Sequence, residues 1–247
     1  MRALLILLIA CLAVPFDGTG QDTKRSYIPM IGDTAPAFVA ESTEGTINFP
    51  YDFGRSWKII FSHPRDFTPV CSSEILELAY LQNEFEKHNT RIIVVSTDML
   101  ETHFKWKEAM EEINFKDRGA RKIRFPLVDD NNYSISSIYG MNHPNAKRGT
   151  NIRGVFFIDR NNKVRAIQLY PNEVGRSTPE ILRTLIALQK SDDNYEFKIP
   201  ANWQPGEPVM MGHTSPLIQE NMRQANPIYF QYSWFMIYWK DDGNDMD

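Results

Sequence analysis

Cysteine is almost missing from this chain: its 247 residues hold two, Cys11 and Cys71. Glu74 stands three positions after Cys71, so no Cys-x-x-Cys pair exists and a dithiol exchange centre is disfavoured. Histidine is sparse too, five residues with no paired ligand spacing, and a metal centre finds no support. Basic runs never exceed two residues, as at Arg121-Lys122, and the net charge is −4, so nothing recruits nucleic acid. The two most apolar segments, 3–14 and 228–239, span twelve residues each. A membrane-crossing helix needs about 20.

What is present suits a folded enzyme-sized core. The chain is 42% hydrophobic, 12% aromatic and 23% charged, which is not the composition of a disordered segment. Arg2 precedes the apolar run from Ala3 to Val14, and Pro15, Gly18, Thr19 and Gly20 follow it. That order predicts a secretory signal peptide over residues 1–20 and hence a secreted protein, with a retained anchor as the main rival reading and a buried N-terminal helix as the blander one. Cleavage after Gly20 or Ala13 would remove Cys11. Cys71 would then be the single thiol of the mature chain, unable to form an internal disulfide.

Along the chain, short apolar stretches up to Pro50 read as loops and short strands. WKIIFS (57–62) has strand length, and from Cys71 to about His88 the apolar positions Ile75, Leu78, Ala79, Leu81 and Phe85 recur at helical spacing. RIIVVS (91–96) fits a buried strand, and 102–113 a helix. Residues 125–128 suggest a short strand and 133–139 a short helix. The runs 152–159 and 163–170, separated by Arg160, Asn161 and Asn162, read as a hairpin. Thr178-Pro179-Glu180 opens a helix through Lys190. Such alternation predicts an α/β fold, a central sheet with helices on its faces. After Ser191 helical periodicity stops and prolines punctuate the chain. The expected organisation is therefore a signal peptide (1–20), a main domain (21–190) and a smaller C-terminal appendage (191–247).

Cys71 follows a strand, then the loop His63-Pro64-Arg65-Asp66-Phe67-Thr68-Pro69-Val70, and opens a helix. First-turn amides and the positive end of the helix dipole favour a thiolate there. Pro64 and Pro69 stiffen the loop, and the Thr68 hydroxyl can donate and accept. Taken alone, a lone cysteine in this place reads either as an inert buried thiol or as a nucleophile.

The stretch FSHPRDFTPVCSSE (61–74) resembles the active-site segment of the peroxiredoxins, most closely the one-cysteine, peroxiredoxin-6-like subfamily. Its core of Pro, three residues, Thr, two residues and Cys is matched by Pro64, Thr68 and Cys71. The resemblance runs from about Ile31 to about Met211 and includes Leu169-Tyr170-Pro171 and Gly175-Arg176. It implies a thioredoxin-like fold, a C-terminal dimerisation appendage and a homodimer. It also implies reduction of hydrogen peroxide and organic hydroperoxides through a Cys71 sulfenic acid, with no cofactor. An external thiol or other reductant must then regenerate the enzyme.

The same resemblance points to Arg153 as the arginine that reaches the thiolate, with Arg176 as a second candidate. Taken alone, an arginine in an apolar strand reads as an ion-paired edge residue, and Glu74 in the first turn of the Cys71 helix is its natural carboxylate partner. Pro64 would shield the sulfur, and His63 stands beside it. Some relatives in that subfamily also hydrolyse phospholipids through a Gly-x-Ser-x-Gly stretch. Here Gly54-Arg55-Ser56-Trp57-Lys58 loses the last glycine, and the partner histidine and aspartate fall on Pro50 and Asn161. Ser56 therefore reads as structural, since a serine without a base is not activated. The aromatic segment 228–239 is expected to form a strand at a dimer interface, with membrane-surface or partner contact as its other reading. Asn132-Tyr133-Ser134 is a glycosylation sequon, meaningful only on a secretory route. The competing function is a non-enzymatic secreted chaperone or signal on the same fold.

Overall fold

The computed structural model describes residues 28–142, 150–212, 216–224 and 227–240. The expected signal peptide, Cys11, His143, His213 and the acidic tail from Asp241 lie outside the described residues.

The elements in chain order are β1 (Phe38–Ala40), β2 (Ile47–Phe49), β3 (Trp57–Ser62), α1 (Pro69–Lys87), β4 (Thr90–Ser96), α2 (Leu100–Glu111), β5 (Leu127–Asp129) and α3 (Ser134–Ile138). They continue with β6 (Arg153–Ile158), β7 (Val164–Tyr170), α4 (Thr178–Asp193), β8 (Phe197–Lys198), β9 (Val209–Met211), α5 (Pro216–Arg223), β10 (Tyr229–Ser233) and β11 (Met236–Trp239). Five strands form a mixed sheet in the order β5-β4-β3-β6-β7. β3, β4 and β5 run parallel, whereas β6 pairs antiparallel with both β3 and β7.

The central strands explain why the sequence shows unbroken apolar runs instead of alternation. Every residue of β3 and of β6 is buried, because both faces of the sheet are covered. Side chains of successive strand residues point to opposite faces. Ile59, Phe61, Val94, Val155 and Phe157 join Ile75 and Leu78 of α1 and Ile181 and Leu185 of α4 on one side. Ile60, Ile93, Val95, Phe156 and Ile158 meet Phe38, Phe49, Ile135 and Tyr139 on the other. A third core, built from Phe197, Trp203, Val209, Met211, Tyr229, Ile237 and Trp239, packs against Ile186 and Ala187 of α4.

The expected elements of the main domain are all present, with ends shifted by a few residues. The first helix starts at Pro69, two residues ahead of Cys71, because proline suits the opening turn. The C-terminal part departs further from expectation. It holds the helix α5, which the proline-rich spacing concealed. The aromatic segment is a hairpin, β10–β11, instead of one strand, turning at Trp234 and Phe235 and pairing with β9 inside the chain's own four-stranded sheet.

Candidate active site

Three elements converge on Cys71. β3 delivers the chain into the loop 63–68, α1 begins under it, and β6 lies alongside β3 in the sheet. Thr68 has extended backbone geometry at the helix N-cap, and the first helical bond runs from Ser72 N–H to the Thr68 carbonyl at 2.9 Å. The amides of Val70 and Cys71 precede that bond and have no intrahelical acceptor. Cys71 is fully buried.

Arg153, at the start of β6, reaches the sulfur from across the sheet. Its Nη1 donates to Cys71 Sγ at 3.2 Å and to Glu74 Oε2 at 2.7 Å. Its Nε and Nη2 both donate to the Asn172 carbonyl, at 2.9 and 2.6 Å, so the guanidinium is held on two sides. Arg176 completes the cluster. Its Nε donates to Glu74 Oε1 and its Nη2 to Oε2, each at 2.8 Å. Its Nη1 donates to the Gly154 carbonyl at 2.9 Å, and its guanidinium lies 3.4 Å from the centre of the Phe61 ring. Burial pushes the Arg176 guanidinium down from its ordinary value, against the pull of Glu74.

Charge counting gives this arrangement its chemical sense. Two buried guanidiniums face one buried carboxylate, which leaves a single positive charge against the sulfur. His63 adds no charge, because burial first, then the positive surroundings of His103, Arg176 and Arg153, drive it well below its usual range.

Ser62 sets the position of Arg153, and the sequence alone did not single it out. Its hydroxyl donates to the Ile152 carbonyl at 2.7 Å and accepts from Gly154 N–H at 2.8 Å, gripping the backbone on both sides of Arg153. Glycine at 154 keeps this approach open: a Cβ there would stand 3.1 Å from Ser62 Oγ. A buried serine at the end of an apolar strand is the only sequence signal for it.

A cavity of about 280 Å³ is lined by Pro64, Arg65, Thr68, Val70, Arg153 and Asn172, among others; it reaches Arg153, while the fully buried Cys71 is not part of its lining. Pro64 is buried in its wall and Thr68 half-buried. The Thr68 hydroxyl donates to the Arg65 carbonyl at 2.9 Å, so its one proton is already engaged and its oxygen is left to accept. A larger cavity of about 410 Å³, between β2 and the far end of α1, includes neither Cys71 nor Arg153 in its lining. Ser56 donates to Asn89 Oδ1 at 2.9 Å, and the neighbouring Lys58 is buried against Gly54 O and Asn162 Oδ1.

A mixed sheet covered by helices on both faces, with a thiol opening the helix behind its central strand, defines a thioredoxin-like α/β protein built for cysteine chemistry. Comparison with known proteins narrows this class. The AhpC/TSA family model matches residues 31–167. A peroxiredoxin of Methanosarcina mazei is 40% identical over 87% of this chain and 99% of its own. A one-cysteine peroxiredoxin of Dictyostelium discoideum is 37% identical over 76% of this chain and 78% of its own. Among solved structures, the yeast mitochondrial one-cysteine peroxiredoxin superposes with a TM-score of 0.75 at 33% identity, covering 87% of this chain and all of that one. Peroxiredoxin 6 of Arenicola marina gives 0.75 at 28% identity, over 87% of this chain and 99% of that one. The chain belongs to the AhpC/TSA family, among its one-cysteine peroxiredoxins, and is a thiol-dependent peroxidase.

These relatives overturn the expectation of secretion. The compartment their names give is the mitochondrion, for a Saccharomyces cerevisiae peroxiredoxin 39% identical over 73% of this chain and 70% of its own, and none is named as secreted. A basic residue ahead of a short apolar run is a compositional pattern that different kinds of N-terminal segment share. The count of one thiol, which rested on loss of Cys11, accordingly becomes a statement about the described residues: among them Cys71 is the free cysteine. A glycan on the exposed Asn132 was conditional on secretion and falls with it.

Proposed function

We propose that Cys71 is the peroxide-attacking nucleophile and that Arg153 is its principal catalytic partner. The 3.2 Å contact between Arg153 Nη1 and Cys71 Sγ carries this reading. The thiolate attacks the terminal oxygen of the hydroperoxide, which keeps its hydrogen. An S–O bond forms, the O–O bond breaks, and the departing alkoxide or hydroxide takes a proton from solvent, leaving a sulfenic acid on Cys71. Negative charge moves from sulfur to the leaving oxygen. Arg153 and the open amides of Val70 and Cys71 are the donors placed to follow it. Thr68, its proton committed to Arg65, accepts the hydrogen of the attacked O–H and orients the peroxide in the cavity. Pro64 keeps bulk water from the sulfur. Glu74 and Arg176 hold Arg153, and His63 stays neutral beside them.

An external thiol system would regenerate Cys71; the yeast relative is described with glutathione and thioredoxin systems resolving its thiol. We assign the chain two parts, a peroxidase domain up to residue 190 and an appendage from residue 191. The appendage is assigned to a homodimer contact on the ground that its hairpin exposes Tyr232, 75% accessible, and Trp234, 70%. The deciding experiment follows hydrogen peroxide consumption with a generic dithiol, and traps sulfenic acid with a dimedone probe, in wild type and Cys71→Ser. Loss of both signals in the variant is expected; undiminished consumption would remove Cys71 from the role.

A further inference from the structure

The loop that roofs the sulfur carries a second buried cluster for which the peroxide chemistry has no use. His63 and Asp66 from this loop and His103 from α2 all have fully shielded side chains. Asp66 Oδ2 lies 2.7 Å from His103 Nδ1, and His103 Nε2 lies 3.2 Å from the Val128 carbonyl oxygen on β5. A carbonyl can only accept, so His103 Nε2 carries a hydrogen. The contact between Nδ1 and Oδ2 then requires one further proton, on either atom, because two lone pairs at that distance repel. With that proton in place the pair is neutral whichever atom holds it.

We propose that Asp66 and His103 form a proton-dependent latch that holds the loop from His63 to Val70 closed over Cys71, and that loss of their shared proton on the alkaline side releases it. This rests on the reading of Cys71 and its cavity as the peroxide site. The ties of the loop support it. His63 N–H donates to the Val95 carbonyl at 3.1 Å, Pro64 has no N–H, and Asp66 then binds twice. Its N–H donates to Asp98 Oδ2 at 2.8 Å and its carboxyl group meets His103. Pro64, Arg65 and Thr68, on both sides of Asp66, line the cavity, so a loosened Asp66 displaces its wall.

The charged surroundings fix the direction. Burial raises Asp66 above the usual carboxylate range; the hydrogen bond and charge of His103 oppose this, and Asp98, from the β4–α2 loop, adds to it. His63 Nε2 stands 3.4 Å from Asp66 Oδ1 without a hydrogen bond, and it is held neutral. Arg153 from β6 and Arg176 from the segment before α4 also act on His63, and both are committed to Glu74 of α1, Arg153 touching Cys71 as well. Once the shared proton is lost His103 is neutral, and no other member of the cluster compensates a bare Asp66 carboxylate. The closed latch binds its proton more tightly than the open loop does, so closure is favoured at lower pH and lost as pH rises.

The test compares full-length wild type, Asp66→Asn, His103→Phe and Cys71→Ser from mildly acidic to mildly alkaline pH. Deuterium exchange of the segment 63–70, corrected for intrinsic exchange rates, is read beside the rate of hydrogen peroxide consumption. In wild type, protection of the loop is expected to fall about tenfold toward the alkaline end, the loss of one charge-assisted bond. Peroxide consumption should fall with it while Cys71 alkylation by iodoacetamide does not. Asp66→Asn presents an amide N–H to a neutral His103 Nδ1 and has no proton to lose, so both readouts should be flat. His103→Phe should be unprotected throughout; if it does not fold, Asp66→Asn decides alone. An alkaline loss in Asp66→Asn equal to that of wild type would overturn the latch. Cys71→Ser should show the wild-type exchange profile without activity. Retained activity there would sink the reading of Cys71 while leaving the latch to be judged by exchange.

Discussion

Arg153 Nη1 bridges Cys71 Sγ and Glu74 Oε2, so the two hydrogens of one NH2 group join the sulfur to the carboxylate that anchors the arginine cluster. The residue that faces the sulfur is therefore also the one locked in place by α1, β6 and the Asn172 carbonyl. Preorganisation of this kind is where transition-state stabilisation originates.

Replacing Arg153 by methionine keeps most of the side-chain bulk and leaves Glu74 paired with Arg176. The fold should persist, and sulfenic acid formation at Cys71 should slow about 10²- to 10³-fold, the usual cost of losing one preorganised donor. Stopped-flow kinetics against hydrogen peroxide would measure it, with circular dichroism as the check on folding. An unchanged rate would take Arg153 out of the site.

Glu74→Gln removes the one carboxylate that offsets two buried guanidiniums. Breaking a buried pair from one side costs about 3–5 kcal/mol, because the opposite charge is left uncompensated. Denaturant unfolding should therefore show a large drop in midpoint with little change in slope. A loss below about 1 kcal/mol would mean that the cluster is far better solvated than its burial indicates.

Ser62→Ala deletes the hydroxyl that holds Ile152 and Gly154 around Arg153. Leaving a buried N–H and carbonyl unpaired costs about 1–3 kcal/mol. Peroxide turnover should fall as well, since Arg153 loses its register against Cys71. Ser62→Thr restores the hydroxyl and should recover part of the rate. Equal rates in both variants would make Ser62 purely structural.

Acid should destabilise the protein partly through His63. Its folded-state value lies well below the ordinary 6.5. Below that ordinary value the unfolded chain takes up a proton that the native site refuses, so this contribution is present above it and lost as pH falls. His63→Gln should flatten the acid limb of the stability profile by up to about 1.4 kcal/mol per pH unit. Thermal unfolding of both proteins across mildly acidic pH supplies the comparison.

Periodicity and local spacing carried much of this protein in one dimension. The apolar runs of β3, β4 and β6, the stripe of α1 and the hairpin β6–β7 were readable because burial on two faces, or on one, leaves a distinct pattern along the chain. Pro64, Thr68 and Cys71 were readable because a loop and a helix start are built from neighbours. Chain folding decided what distance in sequence conceals. The guanidinium of Arg153, 82 residues away and indicated beforehand only by family resemblance, stands against the sulfur, and Ser62 grips the strand that carries it. His103, 37 residues from Asp66, looked like an isolated histidine until α2 packed onto the loop. The proline-rich C-terminal part hid α5 and a hairpin because its strands pair with one another and its core borrows α4, so no single segment displays a complete face. Composition and motif determined that a cysteine opens a helix; only tertiary packing could surround it with buried charges, because their strength depends on excluding water from residues the sequence keeps apart.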